Sequence, residues 1–302
     1  MLYKIFLRLA YGLSVFIFAH INTVYAEGVG GVQTLSLTGF ELPETVLHDP
    51  QNDVYLVSNI AGNIPDKDDN GFISKVSPDG KMLALKWIDG ASEEVTLHSP
   101  KGMVIYEQRL FVADIDTVRI FDKNTGEYKG AIPIEGTTFL NDIIVDDNGN
   151  LYVSDSAIQF VEGAFKATKQ DAVYQVSSNG IVRKFAQNIE LNQPNGLELI
   201  GSDIGVVTRG AADFYRLDTQ GNKQRIMSLP GKILDGLVES KTGEYWVSSW
   251  QTSSLYQIND KGAVMTEIKL PVPAANIGFD KKRQRLLLPL LKRHQIAFLK
   301  VK

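Results

Sequence analysis

From about residue 33 onward, short apolar runs alternate with polar, glycine-rich breaks. Representative runs are Asp53-Val54-Tyr55-Leu56-Val57-Ser58, Arg109-Leu110-Phe111-Val112-Ala113-Asp114, Asn150-Leu151-Tyr152-Val153-Ser154-Asp155 and Glu244-Tyr245-Trp246-Val247-Ser248-Ser249. Each is rich in β-branched and aromatic residues, which suit a pleated, packed surface. Asp79-Gly80, Asn148-Gly149, Asn179-Gly180, Thr242-Gly243 and Lys261-Gly262 supply turn chemistry between them. The pattern predicts strands almost throughout and no amphipathic helix of three turns.

A second pattern lies over the first. A corner of the form polar residue, small residue, then apolar run recurs as Ser99-Pro100-Lys101-Gly102-Met103, Leu140-Asn141-Asp142-Ile143, Pro194-Asn195-Gly196-Leu197, Leu234-Asp235-Gly236-Leu237 and Ala275-Asn276-Ile277-Gly278. Leu42-Pro43-Glu44-Thr45-Val46 is a looser copy. The polar positions Glu44, Lys101, Asn141, Asn195, Asp235 and Asn276 are spaced 57, 40, 54, 40 and 41 residues apart. About forty residues holding four strands is the length of one propeller blade. Six corners therefore predict an all-β, six-bladed β-propeller, a single domain over residues 27–302. The two long intervals predict insertions at residues 61–71 and 158–171. The early strand, residues 33–37, is expected to join the last blade, residues 263–301, and close the ring. Strands run alternately up and down, so the start of strand one and the end of strand two share one face. That gathers the polar corners on the same end as Asn59, Asp114, Asp155 and Trp250.

The first 26 residues differ. Lys4 and Arg8 flank an apolar stretch, and Val24-Tyr25-Ala26 offers a small-residue cleavage site, which reads as a signal peptide and implies a periplasmic or secreted product. No membrane association is expected after its removal. The formal charge of −4 becomes about −6 without Lys4 and Arg8, too acidic for a nucleic-acid partner. The chain has no Cys, which removes disulfides, thiolate chemistry and Cys-based zinc sites. His48 and His98 are too scattered for a His-rich zinc site, and no Gly-x-Ser-x-Gly elbow or phosphate loop is present. Nothing in the sequence specifies an oligomeric state.

Glu44, Asn141, Asn195 and Asp235 offer oxygen donors only. Such a set suits Ca²⁺, with Mg²⁺, Mn²⁺ or Zn²⁺ as alternatives. The plainer reading is that Asn-Gly and Asp-Gly pairs mark turns. Asp66-Lys67-Asp68-Asp69-Asn70-Gly71 resembles the first half of an EF-hand loop, but Ser77 stands at the position of the bidentate Glu and helices are missing, so an acidic surface loop is expected.

Residues 44–50, Leu140-Asn141-Asp142, Asn195-Gly196-Leu197 and Asp235-Gly236-Leu237 resemble, in order and spacing, motifs of the senescence marker protein (regucalcin) and gluconolactonase group of six-bladed propellers. Asn141-Asp142-Ile143 and Pro194-Asn195-Gly196 also resemble those of the related paraoxonase-type lactonases. The resemblance implies a metal held by Glu44, Asn141, Asn195 and Asp235, with Asp235 also serving as base. Two positions depart from it. Sugar lactonases carry a substrate-holding Arg where this chain has Phe139, and paraoxonases carry a His where it has Lys101.

Two functions follow as expectations. One is a calcium-dependent hydrolase of a lactone or related ester: Asp235, aided by Asp142, takes a proton from water, Lys101 acts in catalysis or binds substrate, and Phe139, Trp250, Asp114 and Asn59 line the substrate site. The other is a non-catalytic exported binding propeller with a structural calcium.

Overall fold

The second strand of each repeat carries the strongest apolar run because it is packed on both faces. In residues 54–59, 109–114, 203–208 and 244–249, every residue after the first is buried. The computed structural model describes residues 24–29, 32–186 and 190–301. Six antiparallel sheets succeed one another along the chain, as the forty-residue repeat predicts. Their inner strands are Pro43–Asp49, Pro100–Tyr106, Leu140–Val145, Pro194–Ile200, Leu234–Lys241 and the short Gly278–Asp280. Burial falls outward within a blade, and the fourth strands Tyr128–Pro133 and Val264–Lys269 are largely open to solvent.

The core is distributed over six seams, one between each pair of neighbouring blades. Phe111, Val118, Leu140, Val153 and Tyr174 fill the seam between blades two and three. Leu37, Val46, Tyr55, Leu287 and Phe298 fill the seam where blade six meets blade one. Val32–Thr38 pairs with Gln295–Lys300 in blade six, so the chain closes its ring with a strand from before blade one, as expected. Residues 1–23 of the expected signal peptide lie outside the described residues. Its last three, Val24 to Ala26, pair with Ser36, Leu35 and Thr34 at the outermost strand of blade six.

The corners differ from the tight turns that their Asn-Gly and Asp-Gly pairs suggest. Five of the six are bulges at the start of an inner strand: the register slips between Pro43 and Thr45, Pro100 and Met103, Leu140 and Ile143, Pro194 and Leu197, and Leu234 and Leu237. A bulge leaves an extra residue off the ladder and re-aims its side chain. Gly196 does not occupy the left-handed region. It is needed because the next blade passes close by: a Cβ there would run into the Asp235 carbonyl oxygen and lie 2.8 Å from the Leu237 nitrogen. Gly236 meets Ile277 and Asn276 of blade six in the same way.

In blades three and five a strand-two serine fills the gap that the bulge opens. Ser154 Oγ accepts the Asp142 N–H at 2.9 Å and donates to the Asn195 carbonyl at 2.7 Å. Ser248 Oγ accepts from Gly236 N–H at 2.8 Å and donates to Ala275 O at 2.9 Å. Each hydroxyl thus satisfies a freed backbone donor and clips one blade to the next. Both long insertions rise over the corner end. The second forms a hairpin, Ile158–Val161 with Ala164–Ala167.

Candidate functional site

Five of the six corners open on one cavity of about 230 Å³ at this end of the ring, lined by Glu44, Lys101, Asn141, Asn195 and Asp235. Ile60, Ile64, Phe139, Ile158, Phe165 and Trp250 contribute apolar wall, with both insertions represented among them. The sixth corner diverges. Asn276 does not line the cavity; its side-chain Nδ2 donates to Asp142 Oδ1 at 2.9 Å.

The two carboxamides are oriented by their nitrogens. Asn195 Nδ2 donates to the Leu234 carbonyl at 2.9 Å. Asn141 Nδ2 donates to Ser156 Oγ at 3.3 Å, and that hydroxyl spends its own proton on Pro194 O at 2.7 Å, so it can only accept from the amide. The oxygens are left over. Asn141 Oδ1 and Asn195 Oδ1 are buried and have no hydrogen-bond partner. Buried acceptors without partners are rare and costly, and two facing one cavity call for an electropositive occupant.

The carboxylates point the same way. Burial, and then the charge of Asp235, raise the Glu44 pKa well above the usual carboxylate range. Burial raises Asp235 to about 7, with Asp142 adding to the rise and the Trp250 indole opposing it. Trp250 Nε1 donates to Asp235 Oδ2 at 2.5 Å. A dication would relieve both the mutual repulsion and the two orphaned carbonyl oxygens. The donor set therefore fits a hard ion of the calcium type. Among the described residues no three acidic, His or Cys side chains gather as a metal site, so the fit depends on the carboxamides. The Asp66–Gly71 loop already has partners within and outside it: Asp68 accepts from Asn70 at 2.7 Å, Lys67 pairs with Asp116 at 2.5 Å, and Asp69 accepts from the Leu97 N–H at 3.1 Å.

Lys101 is buried and lies 4.4 Å above the Phe139 ring, its Nζ donating to Ser99 O at 3.1 Å. Burial lowers its pKa, opposed by Asp114, Glu44 and Asp155. Three expected participants take other roles. Asp142 does not line the cavity; its carboxylate accepts from Ile143 N, Asn276 Nδ2 and Leu197 N at 2.8–2.9 Å, bracing blades three, four and six. Both of its oxygens are committed to these bonds. Asn59 is consumed by Glu41 N, Val57 O and Ser74 Oγ. Asp114 is consumed by the His98 and Ser99 N–H groups and by Arg119 at 3.0 Å. Neither reaches the cavity wall. They end strand two, and in blades one, four and five the residue that follows lines the cavity: Ile60 after Asn59, Arg209 after Thr208, Trp250 after Ser249. Sequence reasoning named Trp250 and missed Arg209, although both occupy the same blade position.

Fold and site define a six-bladed propeller with a buried, oxygen-rich pocket at the mouth of its ring. The chain belongs to the family described as SMP-30/Gluconolactonase/LRE-like region, which matches residues 77–287. No curated protein matches it in sequence. Among solved structures, a gluconolactonase from Xanthomonas campestris superposes with a TM-score of 0.68 at 18% identity, covering 91% of each chain. A luciferin-regenerating enzyme gives 0.65 at 14% identity, over 87% of this chain and 92% of that one. A chain of the nidogen/laminin complex gives 0.61 at 14%, over 79% and 91%. At these identities the superpositions speak for the fold.

Proposed function

We propose that the chain is a divalent-cation-dependent hydrolase of lactones or related esters. The observation that carries this reading is the pair of orphaned carboxamide oxygens, Asn141 Oδ1 and Asn195 Oδ1, facing a cavity shared with two carboxylates that burial pushes toward protonation. Glu44, Asn141, Asn195 and Asp235 would hold the ion, Ca²⁺ by preference for an all-oxygen set. When bound, the ion supplies Lewis-acid polarisation of an ester carbonyl. Asp235, steadied through Oδ2 by Trp250, accepts the proton of the water that adds to the carbonyl carbon, and returns it to the leaving alkoxide as the ring C–O bond breaks. Lys101 donates to the oxygen that gains negative charge. Phe139 and Trp250 shield the reaction from bulk water and favour a substrate less polar than a sugar lactone. The family membership supports this reaction class, and the open cavity beneath the two insertions supports it over a purely structural role for the ion.

Replacing Asp235 by Asn tests the assignment. Turnover of a lactone and aryl-ester panel in the presence of calcium is expected to fall by about 10²-fold or more, with circular dichroism unchanged. Wild-type turnover by that variant contradicts it. Export belongs to the same proposal: N-terminal sequencing of the mature protein is expected to begin at Glu27.

A further inference from the structure

Arg209 is a charged residue of the cavity wall with no part in the chemistry above. It follows strand two of blade four, and its guanidinium lines the same cavity as Asp235. A built loop holds it there. Asn192 and Gln193 both take left-handed backbone, at φ of 60° and 58°, uncommon for consecutive residues other than glycine. That conformation puts Gln193 O on the Arg209 N–H at 2.9 Å and Gln193 Oε1 on Arg209 Nη1 at 3.1 Å. Asp171 Oδ2 accepts from Gln193 N–H at 3.1 Å and Asp213 Oδ2 from Asn192 Nδ2 at 2.9 Å, so the loop is fixed from two sides. The guanidinium carbon lies 5.8 Å from the Phe165 ring of the hairpin above.

The charges around Arg209 do not balance once the site is loaded. Among the described residues its side chain has no carboxylate within ion-pair distance; it donates instead to the neutral Gln193. The carboxylate that acts on it from farther away is Asp235, one of the four proposed ligands. Lys101, by contrast, feels Asp114, Glu44 and Asp155. A dication held by Glu44 and Asp235 cancels their charge and leaves the half-buried Arg209 a permanent cation on a largely apolar wall. A cation partly withdrawn from water without a counter-charge is costly, and arginine stays charged.

We propose that the substrate of this site carries a carboxylate on an apolar body, separate from its scissile ester carbonyl, and that Arg209 is the specificity-determining residue that receives it. The substrate class is an anionic, amphipathic lactone or ester. This rests on the hydrolase reading for the reaction and on Arg209 for the anion. Gln193 holds the fork in place through one N–H, on a neutral acceptor that leaves the guanidinium charge uncompensated and other N–H groups for bidentate recognition.

The test uses full-length mature protein loaded with calcium and two matched probes, octanoate and octanamide, with binding read by calorimetry. Wild type is expected to prefer octanoate, and Arg209→Gln to reduce that preference at least about tenfold, as for loss of a charge-assisted hydrogen bond. Arg209→Lys is expected to keep part of it, and melting curves of both variants establish that they fold; if the Gln variant does not, the Lys variant must still show a reduced preference. No octanoate preference in wild type overturns the proposal. So does a preference that survives Arg209→Gln, which would put the carboxylate on the bound ion or on Lys101. The two readings fail separately. Octanoate preference that depends on Arg209, with no hydrolysis of any lactone or ester, leaves the anion site and removes the hydrolase. Hydrolysis of neutral lactones in preference to carboxylated ones, unaltered in ratio by Arg209→Gln, removes the anion site and leaves the hydrolase.

Discussion

Asn195 divides its amide between two tasks. The nitrogen ties blade four to blade five through the Leu234 carbonyl, and the oxygen is left buried without a partner on the cavity side. Asn141 repeats the division with Ser156. Replacing Asn195 with Ala is therefore expected to weaken calcium binding by about tenfold or more, and to reduce the calcium-induced rise in melting temperature measured by scanning fluorimetry. An equal rise in variant and wild type would show that the carboxamide is not a ligand. Protons compete with the ion at Glu44 and Asp235. Burial raises both pKa values, Asp235 to about 7, so a proton must leave before the cation binds. Calcium affinity is expected to fall as pH drops below about 7 and to level off above it. Calorimetric titrations at pH 5.5 and 8 measure the difference, and a flat profile contradicts the assignment.

At the scale of the strand, the repeated corner is a packing device that also aims chemistry. The bulge turns the polar side chain toward the axis, the glycine beside it lets the next inner strand pass, and the strand-two serine clips the two together. Gly196→Ala is expected to destabilise the fold by about 1–3 kcal/mol or more through overpacking. Ser154→Ala, which strands the Asp142 N–H and the Asn195 carbonyl, is expected to cost about 1–3 kcal/mol. Urea denaturation checks both, and a neutral Gly196→Ala would mean that the blades can move apart freely. These features divide what the sequence makes legible from what it hides. The corner residues announce themselves by recurring at blade spacing, so Glu44, Lys101, Asn141, Asn195 and Asp235 can be read directly. The bulge cannot, because Asn-Gly and Asp-Gly have the same local signature in a turn. The contacts of Asn59, Asp114 and Asp142 are hidden for a related reason. Strand polarity brings them to the active end, but only the hydrogen-bond partners reveal that their polar atoms are already spent. Arg209 lacks a repeating neighbour of its own type, since Ile60 and Trp250 hold the matching places, and it becomes visible only through the strand register.

Across the whole molecule, the seam that closes the ring, between blades six and one, carries a cluster of charges. Asp280 is fully buried, accepts from Tyr55 OH, and meets Arg283 Nη1 at 3.0 Å. Asp53 pairs with Arg283 and Lys282 at 2.7 Å. Burial pushes Asp280 up, but the bonds from Tyr55 and Arg283 outweigh it and hold its pKa below the usual carboxylate value. Arg283 and Lys282 likewise hold Asp53 down. Both pKa values are lower folded than unfolded, so this contribution is present above about pH 4 and is lost as pH falls further. Thermal scans between pH 5 and 2 are expected to show a steeper fall in melting temperature for wild type than for Asp280→Asn; parallel curves would remove this seam from the acid response. The closed ring in turn holds five corners against one cavity, and the proposed chemistry needs all of them in register. The most direct measurement is hydrolysis of a lactone and aryl-ester panel by chelator-stripped protein, before and after calcium is restored. The account predicts negligible turnover without the ion, recovery on its return, and no recovery in Glu44→Gln. Equal turnover in stripped and restored protein, or none in either, would contradict it.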